Sequence, residues 1–395
     1  MRTKLLFISC IISSLVSAQE NQRLITGQII DCITKELLPY ATIYTTKTHG
    51  AISNQEGFFS IEVGSENSNI TISYVGYEKK IYSINEIPTI IELQPLTVNL
   101  SDVIITPIDC ANIVNKLFEK YSQVVQTKNQ TPKRFFYRQT TKTDNTCNEI
   151  LEAFFSATSL LCIRELELVE GRYAELLPDS LNQCQYMTFT NYIQYSQFTL
   201  IDPKKDKKDK LIVPLRADFS DFYDLSIDAL GHKDIYEIKF LSKKNINRPI
   251  VEGSLFIDPE QLTILKFEGK TRNAPPTGRG GKLIKNHKLN FSIIYKQIDE
   301  LPIVESVNVH NSFVCIDFGV SNSVEINSIL YNLNLDTKEK GKKIYHKTNL
   351  IELIAKRKYS PDFWTNNEII KRTPLEDSAI SIFEKENKFG TYSNE

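Results

Sequence analysis

The stretch Ser53–Val63, SNQEGFFSIEV, places a polar turn directly before a run of alternating residues. Asn54 and Gly57 readily adopt the turn conformations that most other residues resist. Polar groups on a tight turn beside aromatic rings would also suit a catalytic site. The alternation is typical of a half-buried strand, so we favour a hairpin corner in a β-sandwich. One face of the strand would carry Phe59, Ile61 and Val63, and the other Phe58, Ser60 and Glu62.

The same pattern continues through residues 20–95, where short strand-like runs are separated by turn signals such as His49-Gly50. Period-two alternation with turns every roughly 8–12 residues predicts an antiparallel sandwich. The predicted strands read LITGQIID, ATIYTT, FFSIEV, NITISYV, KKIYSI and TIIEL.

Several of these residues also carry a family resemblance. The segment 20–95 resembles the carboxypeptidase-regulatory-like domain, which implies a seven-stranded sandwich similar to transthyretin. The resemblance also implies an exported bacterial envelope protein, but it says little about chemistry, because one fold serves many functions. The matching positions are Gly27, Asp31, Pro39, Ala41, Gly50, Ser53-Asn54, Gly57-Phe58 and Ser73–Tyr77.

The first residues have the features of a secretory signal peptide. Residues 1–18, MRTKLLFISCIISSLVSA, combine two basic residues, an apolar run and a small-residue ending, so we expect cleavage between Ala18 and Gln19. A lipoprotein signal anchored at Cys10 is the disfavoured alternative, because the apolar run before it is short. We therefore predict export to the periplasm or the periplasmic face of the outer membrane, with no transmembrane helix in the mature chain.

Charge and cysteine content exclude several classes of protein. The 395-residue chain carries 47 basic and 48 acidic side chains, a balance that argues against nucleic-acid binding. The cysteines of the mature chain contain no CxxC spacing, so a zinc or thioredoxin-type site is not expected. We predict scattered buried thiols and leave open one bridge among Cys147, Cys162 and Cys184. The other mature cysteines are Cys32, Cys110 and Cys315.

No recognised catalytic motif occurs in the sequence. Zinc carboxypeptidase chemistry needs a His-x-x-Glu pair, and no acidic residue stands three positions after any histidine. The chain also lacks a Gly-x-Ser-x-Gly elbow, and TGRGGK at 277–282 lacks phosphate-loop spacing. We therefore predict no catalytic, cofactor-binding or metal-binding residue. The histidines are His49, His232, His287, His310 and His346.

Residues 109–395 predict a large curved antiparallel sheet packed on helices, which makes the whole chain mainly β. Asp109 is expected to cap a helix whose apolar positions are Ile113, Leu117, Tyr121 and Val124. Asp258-Pro259 predicts a hairpin corner. In EINSILYNLNL, an apolar face of Tyr331, Leu333 and Leu335 would oppose a wet face of Asn332, Asn334 and Asp336.

The C-terminal residues predict two helices. Thr373-Pro374-Leu375-Glu376 is a capping box with proline at the first helical position, and Gly390 is expected to end that helix. Phe363 and Trp364 would anchor a short preceding helix. The predicted apolar stripe of the last helix is Leu375, Ala379, Ile382 and Phe383.

Five features of the second domain recur together in exported proteins with this N-terminal domain, so the domain is similar to theirs. They are the first helix, the FYR strand at 136–138, the Gly171-Arg172 step, the YEIKF…GSLFID hairpin at 236–258 and the terminal helix with Phe363-Trp364. The resemblance implies a half-barrel similar to periplasmic lipoprotein carriers. A half-barrel with one apolar face suits a lipid, which makes a hydrophobic-ligand carrier the alternative function.

The predicted linker strand, 96–108, contains LSDVIITP at 100–107, which is similar to a stretch near the energy-coupling segment of outer-membrane transporters. An extended strand of this kind can pair with a partner sheet edge. We expect instead that the stretch is ordered against its own domains and makes no energy-coupling contact. The candidate partner-strand residues are Leu100, Asp102, Val103, Ile104 and Ile105.

Three functions follow from these patterns. The leading hypothesis is a non-enzymatic envelope adapter that binds a protein partner. The second is the lipid or hydrophobic-ligand carrier, and the third is a hydrolase of unrecognised type.

Overall fold

The structure is a computed structural model that describes residues 23–45, 50–64, 69–96, 109–125, 130–144, 146–176, 198–203, 211–230, 235–273, 283–299, 301–317, 319–345, 348–355, 357–365, 367 and 369–390. The predicted signal peptide and the partner-strand stretch 100–107 lie outside these ranges. Within them, no helix combines the length and the apolar character that crossing a membrane requires.

The N-terminal residues form the predicted seven-stranded sandwich. Its two sheets have the strand orders β4-β1-β7 and β3-β2-β5-β6. All pairs are antiparallel except β1 with β7. The third strand was not predicted, because His49-Gly50 was interpreted as a turn. The strands are β1 (Arg23–Asp31), β2 (Thr42–Thr45), β3 (Gly50–Ile52), β4 (Phe58–Val63), β5 (Asn69–Ser73), β6 (Lys80–Ser83) and β7 (Ile90–Leu93).

The Ser53–Val63 stretch begins with a tight turn, as its pattern predicts, but the turn connects β3 and β4 of different sheets and is therefore a corner of the sandwich, not the predicted hairpin. Asn54 Oδ1 accepts hydrogen bonds from the backbone N–H groups of Glu56 and Phe58 at 2.9 and 3.0 Å. Gly57 has φ +72°, and a Cβ there would lie 2.6 Å from the Ile29 carbonyl oxygen. The alternating strand that follows buries Phe59, Ile61 and Val63 in the core between the two sheets.

The sandwich is expected to fold without the rest of the chain. Its core closes between its own two sheets, so an isolated 20–95 fragment should show β-type circular dichroism and a single cooperative melt. A helical spectrum or a gradual, non-cooperative melt would contradict this prediction.

The remaining strands form one eleven-stranded antiparallel sheet, as predicted, with the order β11-β12-β13-β14-β15-β16-β17-β8-β9-β10-β18. Asp258 forms the predicted corner, since its Oδ1 accepts from the backbone N–H groups of Glu260 and Gln261. The strands are β8 (Lys133–Thr143), β9 (Thr146–Thr158), β10 (Arg164–Glu175), β11 (Tyr223–Leu230), β12 (Ile235–Ser242), β13 (Ile250–Asp258), β14 (Thr263–Arg272), β15 (Leu283–Ile298), β16 (Leu301–Asp317), β17 (Val320–Asp336) and β18 (Lys342–Lys343).

Helix α1 (Cys110–Val124) covers one face of this sheet. Asp109 caps it as predicted, accepting from the Asn112 backbone N–H at 3.0 Å. Its fully buried positions are Val114, Leu117 and Tyr121. The stripe therefore includes Val114, which the sequence analysis did not select, whereas the predicted Ile113 and Val124 are only partly buried.

The sheet is covered on both faces near the middle of β17, so the predicted wet face is wrong for Asn332, whereas Asp336 at the strand end is exposed as predicted. Leu330 lies in the main core that α1 also joins, and Asn332 is fully buried. Asn332 Nδ2 donates to the Val304 carbonyl oxygen at 3.0 Å, which satisfies the amide without water. Leu335 is 57 % exposed near the strand end, so the predicted apolar face is also incomplete.

The second face is covered by the C-terminal helices α3 (Pro361–Thr365) and α4 (Pro374–Lys385), together with the sandwich. Helix α2 (Leu350–Ala355) instead packs into the main core on the α1 side. Trp364 of α3 is buried with Phe136, Phe154 and, from the sandwich, Ile52, which confirms its anchoring role. The Thr373–Glu376 capping box is present.

Two details of α4 differ from prediction. The buried stripe contains Ile380, whereas Ile382 is 40 % exposed. The helix ends at Lys385, and Gly390 instead occupies a later turn with φ +83°.

A buried ion cluster attaches α4 to the sheet. Glu152 of β9 accepts from Arg138 Nε on one carboxylate oxygen and from Arg172 Nε on the other, both at 2.7 Å. Arg138 also lies 3.7 Å from Glu376 of α4. The Arg172 guanidinium lies 4.8 Å from the Trp364 ring centroid, a cation–π distance.

The sequence analysis left open one disulfide among Cys147, Cys162 and Cys184, and the structure describes two of these three cysteines. Cys147 and Cys162 are buried free thiols, so neither forms that bridge. Cys32 and Cys110 are also free, whereas Cys315 is disulfide-bonded. Cys184 lies outside the described residues.

Candidate functional site

A trough of about 530 Å³ lies where the sandwich meets the second face of the large sheet. Its floor is formed by strands β12 to β16, and Tyr40 of the sandwich lines it from the other side. Clefts of this volume at a junction between folding units are common binding sites.

The Ser53 corner positions Tyr40. Ser53 Oγ donates to the Leu38 carbonyl oxygen and accepts from the Ala41 backbone N–H, and so ties both ends of the turn that contains Tyr40. Gln55 of the same corner hydrogen-bonds the Tyr40 side chain. Tyr40 itself has φ +63°, a left-handed conformation that is uncommon for a non-glycine residue. The quoted corner is thus architectural, and it presents an aromatic side chain to the trough.

The floor is a polar grid made by cross-strand neighbours. Residues directly opposite each other share a face of the sheet, so the pairing register places polar side chains side by side. One row joins Ser254, Glu268, Ser292 and Asn308, and the adjacent row joins Glu252, Lys270, Asn290 and His310.

The charged groups of the trough are balanced and mostly paired. Lys239 Nζ lies 2.7 Å from Asp228, and Glu268 lies 2.6 Å from Lys266. Burial opposes ionisation of Glu252, but hydrogen bonds from Ser242 and Arg272 lower the pKa of this carboxyl overall. Glu252 is therefore held ionised at neutral pH.

Asn308 is the exception to this pairing. Its side chain lines the trough and is only 4 % exposed, yet neither Oδ1 nor Nδ2 has a hydrogen-bond partner. A buried polar group without a partner costs about 1–3 kcal/mol, so such groups are rare without a reason. The arrangement leaves one donor and one acceptor side by side for a ligand.

Contacts between the sandwich and the sheet support the trough at its edge. Thr42 Oγ1 donates to Glu305 Oε2 at 3.3 Å. Lys266 Nζ lies 4.9 Å from the centroid of the Tyr74 ring, which is a cation–π distance. The two walls of the trough are therefore joined by direct side-chain contacts.

The histidines do not gather in the described part of the chain. His310 lines the trough, and its Nδ1 lies 2.6 Å from Asn327 Oδ1. Among the described residues, no group of three His, Cys, Asp or Glu side chains has the arrangement of a metal site. His49, His232 and His346 lie outside these residues.

Sequence reasoning did not find the trough residues. Tyr40 followed a turn signal, and Asn308 stands in the alternating segment ESVNVHN, where it was interpreted as one more position of a strand. The register between β15 and β16, which places Ser292 opposite Asn308, is not visible in either strand alone.

The fold and the trough define a β-sandwich joined to a large antiparallel sheet, with a cleft between them. Residues 25–105 match the CarboxypepD_reg-like domain, which confirms the resemblance given for the N-terminal segment. The matched range includes the predicted partner-strand residues Leu100 to Ile105, and the large sheet lies beyond it. A comparison with curated proteins finds no match.

Proposed function

We propose that the chain is a non-enzymatic binding protein of the cell envelope, and that the trough holds a segment of an envelope partner. The observation that carries the proposal is Asn308, a buried amide that lines the cleft with both polar atoms unpaired. The pairing of Glu252 and Glu268 with basic neighbours supports binding over catalysis, because a general acid or base must be free to change protonation.

The envelope location rests on the sequence. The signal-like residues 1–18 favour export, and the CarboxypepD_reg-like domain at 25–105 accords with an exported adapter. A lipid carrier is less well supported, because the apolar face of the sheet packs against α1 residues such as Leu117 and Tyr121.

Photo-crosslinking in producing cells tests this proposal. A photoreactive amino acid at Leu241, a trough residue that is 57 % exposed, should form a discrete adduct with one envelope protein. The matched control is Ile81, an apolar sandwich residue that is 66 % exposed and does not line the trough. Lipid adducts at Leu241, or the same adducts from both positions, would overturn the proposal.

A further inference from the structure

We propose that the trough binds an extended peptide segment through its main chain, with Asn308 bonded to the N–H and C=O of a single peptide residue. This inference rests on the proposed binding function and names the class of ligand. Asn308 Oδ1 would accept from the peptide N–H, and Nδ2 would donate to the C=O of the same residue. Both atoms are unpaired, and the side chain is 4 % exposed at the trough.

The charge of the trough selects against anionic ligands. Lys239 and Lys270 are matched by Glu252 and Glu268 along the same floor. A phosphate group or nucleic acid would need an excess of basic side chains, whereas a peptide main chain is neutral and carries both donors and acceptors.

The rim favours a peptide over a neutral sugar chain. Leu241 lines the trough and is 57 % exposed, so it offers an apolar contact beside the polar floor. Tyr40 adds an aromatic ring that is held in place by the Ser53 corner. A peptide supplies apolar side chains and amides in alternation, which matches this mixture of surfaces.

The dimensions also suit an extended segment. Strands β13 to β16 contribute a row of four polar positions across the sheet, from Ser254 to Asn308. Neighbouring strands are about 4.8 Å apart, so this row spans roughly 14 Å, the length of about four extended residues.

Selection from a phage-displayed library of random dodecapeptides, with the full mature chain as target, tests the class of ligand. Selected peptides, once synthesised, should bind the wild-type protein and lose at least tenfold in affinity with Asn308→Leu. Asn85→Leu makes the same change at an exposed sandwich residue and should leave the affinity unchanged. Because Asn308→Leu removes an unpaired buried amide, its melting temperature should not fall. Leu241→Asp, at the exposed rim, is a second variant that should weaken binding without affecting folding.

Ester substitution along the peptide tests the main-chain contact. Replacing one amide with an ester removes one N–H donor, and a single position should cost about tenfold in affinity for the wild type. The same substitution should cost less than about twofold with Asn308→Leu, because the two changes remove the same hydrogen bond.

Other outcomes would overturn the inference. One such outcome is a library that yields no binder, and another is a set of peptides whose affinity is unchanged by Asn308→Leu. A third is binding to a neutral oligosaccharide array that depends on Asn308. If Leu241 still crosslinks to one envelope protein in cells, the binding function stands and only the peptide assignment fails. An adduct from Leu241 to another segment of this chain would also overturn the inference, since the occupant would then be internal.

Discussion

Glu152→Ala is expected to destabilise the protein by about 3–5 kcal/mol at pH 7, the range seen when one partner of a buried ion cluster is removed. Glu152 is 1 % exposed and accepts from Arg138 and Arg172, which are themselves 4 % and 2 % exposed. Although burial opposes ionisation, the two guanidinium charges lower the pKa of Glu152 to about 2. Alanine would leave both cations buried without their shared anion. Urea unfolding monitored by circular dichroism measures the loss.

The same change should also loosen the C-terminal helix. Arg138 contacts Glu376 and Arg172 lies 3.6 Å from Glu384, so the cluster ties α4 to the sheet. Limited proteolysis should therefore cut the α4 region of the variant faster than that of the wild type. Glu62→Ala, on the exposed face of β4, is the control and should change stability by less than about 0.5 kcal/mol. If Glu152→Ala lowers the free energy of unfolding by less than about 1 kcal/mol, the ion cluster does not stabilise the packing of α4 on the sheet.

Most of the sandwich was predictable because strands such as β1, β4 and β5 have one buried face. A period-two pattern indicates one buried face and one solvent-exposed face. In β4 the buried face consists of Phe59, Ile61 and Val63. The pattern fails for β17, where the sheet is covered on both sides. Asn332 looks like a solvent-facing residue in the sequence, but a carbonyl from the neighbouring strand satisfies its amide in the core.

The α4 stripe shows a second limit of sequence reasoning. Glu376 was interpreted only as part of a capping box, yet it is 4 % exposed and faces Arg138 across the interface. With Glu376 on the buried face, the neighbouring buried positions are Ala379, Ile380 and Phe383, at i+3, i+4 and i+7. A helix that buries a carboxylate can be placed only when its cationic partner on a distant strand is known.

The trough could not be predicted either, because it also depends on contacts between residues that are distant in the chain. Tyr40 and Asn308 are far apart in the chain, and only the packing of the sandwich on the sheet brings them to one cleft. The quoted Ser53 corner was predicted as a turn, but its part in positioning Tyr40 depends on the Ser53 hydroxyl bonds to the Leu38–Ala41 turn. Local patterns thus determined the elements, whereas the site arises from the contacts between them.

The wild-type protein is expected to lose stability as the pH rises from about 4.5 to 7, because Glu149 ionises. Glu149→Gln should not show this loss. Glu149 is 7 % exposed on β9, and burial raises its pKa from 4.5 to about 7, against a hydrogen bond from Thr141 at 2.6 Å. The negative charge of Glu175 also raises this pKa. Because the folded state holds the proton more tightly than the unfolded state, this carboxyl favours folding below pH 4.5 and loses that advantage as the pH rises towards 7.

The size of the effect follows from the two pKa values. The pKa rises from 4.5 to about 7, and at about 1.4 kcal/mol for each pKa unit this difference corresponds to about 3–4 kcal/mol. Glutamine keeps the shape and cannot ionise, so the variant should match the wild type near pH 4 and exceed it by about this amount at pH 8. Comparing the two proteins at each pH cancels the titration of other buried acids such as Glu305 and Glu376, whose pKa values burial also raises. Chemical unfolding at a series of pH values provides the measurement, with Glu119→Gln on the exposed side of α1 as the control. A stability difference that does not change between pH 4 and pH 8 would mean that Glu149 titrates alike in the folded and unfolded chains.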